Sequence, residues 1–291
     1  MATASGRMLE NFLRGRLLRA AVPARAVNAA RNIRDRIGMF GEPKRTFDPA
    51  PLRPEASFSL DALFSDPAVD AAWQEDHAAI SALFGDREWP GSDNRGDRRA
   101  LYYIVGRLRP QNVLEIGTYV GGSTLYLARA LKRIGAAGGL TTVDIQDVND
   151  PTKGPWKDVG LPLPPIELAR RLDCADVITF WNGASADFMK ETNERFDLIY
   201  LDGDMAARSV YRSITGAFGL LRPGGAILLH AYYPDGAPLF PDGIVLGGPY
   251  CAMARISREN PGVRVLTLGN LPWPTKQGSH ATTLAFVARC S

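Results

Sequence analysis

The segment Val113–Thr124 constrains the fold of this chain more than any other part of the sequence. Its letters, VLEIGTYVGGST, describe a short apolar run followed by Gly117, Gly121 and Gly122. Glycine lets a backbone turn sharply and approach a ligand, because no Cβ is in the way. A helix that follows at once presents free N–H groups at its first turn. The segment therefore predicts a strand, a ligand-binding turn and a helix.

Strand and helix signals alternate from about residue 97 to residue 291, which is typical of a mainly parallel sheet with helices on both faces. Further strands are predicted at Leu140–Val143, Val177–Trp181, Phe196–Leu201 and Ala226–Leu229. A last pair, Val263–Leu268 and Thr282–Ala288, is separated by a Pro/Gly-rich stretch and predicts an antiparallel hairpin at the edge of the sheet. The predicted fold is thus a Rossmann-like α/β sheet with an N-terminal helical extension.

Two segments precede this domain, so we predict units at 1–50, 51–96 and 97–291. Residues 1–50 hold ten Lys/Arg and four Asp/Glu, although the whole chain has a net charge of only +3. The run from Met8 to Leu18 has apolar residues at helical spacing, with arginines between them. This basic helical arm could lie on an anionic membrane surface or a partner, or pack on the protein itself or on a second subunit; we favour packing. Residues 51–96 predict one helix over Leu60–Phe84 and a loop over 89–96.

Composition excludes several classes of protein. The three cysteines are scattered and form no C-x-x-C pair, which argues against a disulfide framework or a zinc cluster and fits a reducing cytoplasm. No apolar run approaches the ~18 residues of a membrane span, and no secretory signal is evident. We therefore expect a cytoplasmic protein.

The glycine turn raises the question of which ligand it binds. A nicotinamide dinucleotide is one candidate, since pyrophosphate-binding loops use the same backbone logic. The spacing here is E-x-G-x-x-x-G-G rather than G-x-G-x-x-G, and the carboxylate of Glu115 suits an amino-acid ammonium better than a pyrophosphate. Asp144, at the end of the second strand, can accept hydrogen bonds from both hydroxyls of a ribose.

Four segments in this order, VLEIGTYVGGST, LTTVDI, FDLIYLDGD and LLRPGGAILLHAYY, resemble class I S-adenosylmethionine (SAM)-dependent methyltransferases. The chain is most similar to bacterial O-methyltransferases that act on small molecules and sugars in natural-product and glycan pathways. The resemblance implies a SAM site with contacts to the methionine end, the ribose and the adenine. The residues implied are Glu115, Gly117, Thr118, Gly121, Ser123, Asp144, Ile145, Ala184, Ser185 and Asp202.

The resemblance also suggests a site for a divalent metal. Related enzymes hold Mg²⁺ between an Asp at the position of Asp202 and a carboxylate after the next strand. Asp202 and Asp204 are the candidate ligands here, but Ala231 stands where the second carboxylate is expected, so we do not favour a metal. His230 is then the leading candidate for a general base, because its ordinary pKa of ~6.5 suits proton removal. Asp204 is the second candidate, unless it caps the helix that follows.

Acceptor contacts are expected from the 89–96 loop, from Trp156, and from Tyr232, Tyr233 and Phe240. We therefore expect methyl transfer to a hydroxyl of a small molecule or glycan. A nicotinamide-dependent oxidoreductase, a nucleic-acid methyltransferase using the basic arm, and a non-catalytic scaffold are the alternatives. Self-association through the arm is one further expectation.

Overall fold

The computed structural model describes residues 23–85 and 93–290. The predicted helix around Met8–Leu18 and loop residues 89–92 lie outside this part of the chain. Within it, no helix is long and apolar enough to cross a membrane.

Seven strands form one sheet in the order β3-β2-β1-β4-β5-β7-β6. The strands are β1 (Val113–Ile116), β2 (Leu140–Asp144), β3 (Ile178–Asn182), β4 (Phe196–Leu201), β5 (Leu221–Leu229), β6 (Val263–Thr267) and β7 (Ala285–Arg289). Strands β1 to β5 pair in parallel, whereas β7 pairs antiparallel with both β5 and β6. The predicted α/β fold, with its antiparallel C-terminal pair, is confirmed.

Helices cover both faces of the sheet. They are α1 (Ala24–Met39), α2 (Leu60–Leu63), α3 (Pro67–Phe84), α4 (Arg95–Leu108), α5 (Gly122–Ile134), α6 (Pro155–Asp158), α7 (Pro165–Arg171), α8 (Ser185–Glu191), α9 (Ala207–Leu220) and α10 (Gly248–Glu259). Side chains of β1 alternate between two apolar cores, as the two-residue period of a strand requires. Val113 belongs to the core with α4 and α5, while Leu114 and Ile116 belong to the core with α9 and α10.

The single helix predicted over Leu60–Phe84 is wrong, because the chain forms two helices there. Helix α2 ends at Leu63, and α3 starts at Pro67 after a break of three residues. Asp66 caps α3 by accepting the N–H groups of Ala68 and Val69 at 2.9 and 3.2 Å. Proline fits the first position of a helix and cannot continue one, so Asp66-Pro67 marks a helix start.

The three predicted units stay a prediction, but two observations bear on their limits. The limit at residue 96 falls inside α4, which begins at Arg95. Segment 51–54 lies along the sheet, with bridges from Leu52 to Gly225 and from Pro54 to Arg289.

Candidate active site

A cavity of about 1390 Å³ lies over the carboxyl ends of the parallel strands. Strands β1 and β4 are neighbours at the centre of the sheet, and the strand order reverses between them. Open α/β sheets bind ligands at such a reversal. Pockets for one small ligand usually measure about 300–1,000 Å³, so this cavity has room for a cofactor and an acceptor together.

Gly117 forms the floor of the cavity at the end of β1. Its φ of +104° lies in the region that favours glycine, and an added Cβ would come within 2.3 Å of the Asp202 carbonyl oxygen. Only glycine therefore lets the turn after β1 pack directly on the end of β4. The sequence predicted this turn correctly, because its chemistry is local.

Asp144 lines the cavity at the end of β2. Its two carboxylate oxygens accept the N–H groups of Tyr119 and Gln146 at 2.8 and 2.9 Å. These bonds fix the carboxylate beside the glycine turn. Ile145 also lines the cavity, although its side chain is 74% exposed.

The loop after β3 supplies the next part of the wall. Gly183, Ala184 and Ser185 line the cavity. Asn182 does not, because its side-chain amide donates to the carbonyl oxygens of Asp144 and Ile145 instead. The predicted adenine contacts of Ala184 and Ser185 stay predictions, but both residues lie where such contacts can form.

Glu115 does not line the cavity, contrary to its expected place beside the methionine moiety. It shares the inner face of β1 with Val113, and its side chain is fully buried. Its carboxylate accepts hydrogen bonds from the hydroxyls of Ser123, Thr124 and Thr142 at 2.5–2.6 Å. Burial raises the pKa of Glu115 to about 7, although these hydrogen bonds lower it. The residue therefore ties β1 and β2 to the start of α5.

Three other predicted cofactor residues also lie behind the wall. The Thr118 hydroxyl is 2.6 Å from that of Thr142, and Ser123 donates to Glu115. Gly121 is the N-cap residue of α5 and has a φ of +82°, and a Cβ added to it would come within 3.0 Å of Pro165. These residues shape the turn that carries Gly117 and Tyr119 rather than forming the cavity surface.

A polar cluster at the ends of β4 and β5 borders the other half of the cavity. The Nδ1 atom of His230 lies 2.6 Å from Oδ1 of Asp202, and its Nε2 atom lies 3.2 Å from Oδ1 of Asp93. Asp202 and His230 line the cavity, whereas Asp93 is buried behind them. The imidazole is therefore held at both nitrogens by carboxylates.

Sequence reasoning missed Asp93 and its neighbour Asp97. The Tyr200 hydroxyl lies 3.0 Å from both oxygens of Asp93, and Arg98 donates to the Asp93 carbonyl at 2.6 Å. Asp97 is fully buried, accepts from the Thr282 hydroxyl, and has an oxygen 3.8 Å from His230 Nε2. The only local signal was Asn94-x-x-Asp97, a helix-start pattern within a stretch that otherwise has loop composition.

The cluster binds protons more tightly than its members would in water. Burial alone would lower the pKa of His230, but the negative charges of Asp202 and Asp93 raise it well above the ordinary value. Burial, together with the charge of Asp202, raises the pKa of Asp93 to about 8. At neutral pH these two shifts favour a protonated His230 imidazolium and a protonated Asp93 carboxyl group. His230 is therefore poorly suited to accept a further proton at neutral pH.

Asp204 lines the cavity but lies outside this cluster. One oxygen accepts the Ala206 N–H at 3.1 Å, and the other accepts the Ser209 hydroxyl at 2.6 Å. Both bonds hold the start of α9. The N-cap residue of α9 is Ala206, however, so the capping alternative for Asp204 is not confirmed.

The ligand atoms of Asp93, Asp202 and His230 lie within 4.8 Å of one another, so a metal must be considered. Magnesium requires near-octahedral coordination by oxygen. This set offers one imidazole, and each of its nitrogens already faces a carboxylate. Asp204, the second predicted ligand, is not part of the set. The donor set does not fit magnesium.

The acceptor side of the cavity combines aromatic, apolar and hydrogen-bonding groups. Of the predicted aromatic residues, Tyr233 and Phe240 line it, whereas Trp156 and Tyr232 do not. Trp156 packs into its own loop, where Pro155, Asp158 and Val159 reach the cavity instead. The cavity lining also includes the polar residues Arg31, Asn94, Ser209, Ser213, Lys276 and Thr283.

The family comparison decides the assignment. Residues 114–232, which span β1 to the end of β5, match the family model described as a methyltransferase domain. This part of the chain is similar to methyltransferase domains. The match includes Gly117, Asp144, Asp202 and His230, and it confirms the prediction of a class I methyltransferase.

Solved structures support the same fold for the methyltransferase domain. A candidate O-methyltransferase from Klebsiella pneumoniae aligns with a TM-score of 0.50 and 20% identity, over 80% of this chain and 94% of that one. The cofactor-bound protein Rv0187 from MTB aligns with a TM-score of 0.50 and 22% identity, over 84% of this chain and 99% of that one. No curated protein gives a significant match to the chain.

Proposed function

We propose that this methyltransferase domain transfers the methyl group of SAM to a hydroxyl of a small molecule or sugar. The observation that carries the proposal is the place of the Asp202–His230–Asp93 cluster. It lies between the Gly117–Asp144 side of the cavity and the side lined by Tyr233 and Phe240. A proton-accepting group is thus placed between the predicted methyl donor and a space for the acceptor.

The residues around Gly117, Asp144 and Ala184 fit SAM. The turn after β1 brings backbone groups close to the cavity, and the Asp144 carboxylate stands where a ribose would need an acceptor of hydrogen bonds. SAM supplies an electrophilic methyl group on its sulfonium, and transfer requires the acceptor oxygen in line with it. The chain's task is then to orient the hydroxyl and remove its proton.

We assign the proton-accepting role to Asp202. Its Oδ2 atom makes no hydrogen bond within the described residues, and its Oδ1 atom is held by His230 Nδ1. The imidazolium fixes the carboxylate toward the cavity and, with Asp93 behind it, keeps its own proton. His230 is in this account a positioning residue for Asp202 rather than the base itself.

The lining of the acceptor side favours a sugar or another compact polyol. Tyr233 and Phe240 offer faces on which a ring can stack, and the cavity lining also carries the hydroxyls of Ser213 and Thr283. A mixture of stacking surfaces and short polar side chains suits a ring that carries several hydroxyl groups. Phenols, which need fewer hydrogen bonds, are the second class to examine.

The proposal is tested by methyl transfer from radiolabelled SAM to panels of monosaccharides, glycosides and phenols. Product should form with at least one hydroxyl acceptor. Asp202→Asn should then lower kcat by about 10²–10⁴-fold, the usual worth of an acid–base group. Asp204→Asn, in the same cavity, should cost far less. Turnover that survives Asp202→Asn but not Asp204→Asn would contradict the assignment of the base.

A further inference from the structure

Helix α1 carries an exposed apolar stripe. Four large hydrophobic side chains are strongly exposed in the described part of the chain, and three of them belong to α1 or follow it directly. Ile33 is 60% exposed, Ile37 is 69% exposed, and Phe40, next after the helix, is 87% exposed. Exposed Ala26 and Ala30 continue the line toward the start of the helix. At about 100° per residue, these five side chains share one side of the helix.

Arginines border the stripe on both sides. By the same helical geometry, Arg25 and Arg36 lie along one border and Arg34 lies along the other. All three are exposed, and the Arg34 guanidinium also pairs with the buried Asp35 at 3.1 Å. The helix has one acidic residue, Asp35, which is buried on the opposite side. The exposed surface of α1 is therefore an apolar band between two cationic borders, with no exposed carboxylate on the helix.

The opposite side of α1 is fixed to the methyltransferase domain. Asn28 donates to the Gly243 carbonyl at 2.8 Å and accepts the Val245 N–H at 3.0 Å. Asp35 accepts the Ala207 N–H at 3.3 Å, and Met39 is buried against the core with α9 and α10. Because these contacts fix the rotation of the helix, the apolar band cannot turn inward.

We infer that this band docks on the surface of an anionic lipid bilayer. An interfacial helix buries its apolar side among acyl chains and places Lys or Arg at the level of the negative headgroups. The band of α1, with Arg25, Arg34 and Arg36 at its borders, has this form. A second copy on the same band would bring cationic borders together without a carboxylate to pair with them, which is unfavourable.

Docking would also place the bilayer beside the acceptor side of the cavity. Arg31, on the inward side of α1, lines that cavity, and Asn28 holds the loop that carries Ile244 and Leu246 along its wall. The inference does not depend on the proposed methyl transfer, because it rests on the surface of α1 alone. Either one can fail without the other.

The test is co-flotation of the full chain with vesicles of phosphatidylcholine alone or mixed with phosphatidylglycerol. Binding is expected only with the mixed vesicles and should weaken as salt rises. The variant Arg25→Gln/Arg34→Gln/Arg36→Gln should lose about fivefold in partition coefficient per arginine. Ile33→Ser/Ile37→Ser should lose roughly tenfold or more. The matched control, Arg170→Gln/Arg171→Gln/Arg195→Gln, removes three exposed arginines elsewhere and should bind as the parent does.

Three outcomes would overturn the inference. The first is no binding to mixed vesicles. The second is binding that the α1 variants leave unchanged, in which case deletion of residues 2–22 would show whether that segment carries it. The third combines two results. The parent sediments as a dimer and does not bind vesicles, and Ile33→Ser/Ile37→Ser sediments as a monomer, which would assign the band to a second copy.

Discussion

The imidazole of His230 illustrates how position, rather than residue type, sets chemistry at the scale of single side chains. Its sequence context, at the end of a strand beside the predicted methyl donor, suggested an ordinary histidine base. Acidic groups near both nitrogens instead favour the charged ring, because Nδ1 is hydrogen-bonded to Asp202 and Nε2 lies 3.2 Å from Asp93. Asp202, and not His230, is then the proposed acceptor of the substrate's proton.

This account predicts the titration of His230. The chain contains only three histidines, so imidazole signals in a ¹⁵N-histidine sample free of tags can be assigned by His230→Gln. His230 should stay protonated well above its ordinary pKa of 6.5. Asp93→Asn removes one of the acidic groups that face His230 and should lower that pKa. Tyr200→Phe, which keeps the Asp93 carboxyl group, should not. A ring that titrates near 6.5 in the parent would contradict the account.

The protons bound by His230 and Asp93 make the free energy of unfolding depend on pH. The pKa of His230 is raised on folding, so its contribution is complete below 6.5 and is lost as pH rises through the folded value. Folding raises the pKa of Asp93 from 3.8 to about 8, so the folded state also loses stability through this interval as pH increases. The free energy of unfolding of the parent should fall from pH 5 to pH 8, and Asp93→Asn should flatten that fall.

Single residues were predictable where their chemistry is local. Asp144 is the last residue of β2, and Gly117, Asp202 and His230 each follow directly on a strand. The carboxyl ends of neighbouring parallel strands meet at one edge of the sheet. Asp93 was not predictable, since its partner Tyr200 is 107 positions away in the chain. Nor did the sequence tell which side of β1 would carry Glu115.

Among the elements, the start of α4 has the largest effect on the site. Asn94 accepts the Asp97 N–H at 3.0 Å and donates to its carboxylate at 2.5 Å, which caps the helix. This cap places Asp93 on one side of His230 and Asp97 close by. The helix start is therefore both a stabilising feature and part of the cluster.

We predict that Asn94→Ala lowers the free energy of unfolding by about 0.5–2 kcal/mol, as loss of a cap usually does. It should also shift the titration of His230, because Asp93 loses its anchored neighbour. Asp66→Ala is the matched control, since it removes the cap of α3 far from the cavity. Denaturant unfolding should show similar losses for both variants. A His230 titration that responds equally to both would argue against a specific role for the α4 cap.

Element prediction failed where two helices follow one another. The apolar pattern over Leu60–Phe84 is nearly continuous, so periodicity alone suggested one helix. The Asp66-Pro67 pair carries the stop and start signal, and its cap residue bonds to two backbone N–H groups that a continuous helix would pair internally. A capping signal outweighed periodicity.

At the scale of the whole molecule, the sheet order brings separate motifs to one cavity. Residues 114–232 match the methyltransferase family model, and the segments on either side of that range contribute Arg31, Phe240 and Lys276 to the lining of the cavity. The four motifs and their order were sufficient to predict the fold. The contributions of α1 and of the loops after β5 were not predictable, because they arise from packing between distant parts of the chain.

The most direct measurement is isothermal titration of the protein with S-adenosylhomocysteine, the product form of the cofactor. We expect one site per chain. Asp144→Asn should weaken binding about tenfold or more, as loss of charged hydrogen bonds does, while Asp147→Asn in the same loop but outside the cavity should not. No heat of binding by the parent, or equal affinity in Asp144→Asn, would contradict a cofactor site over β1 and β2.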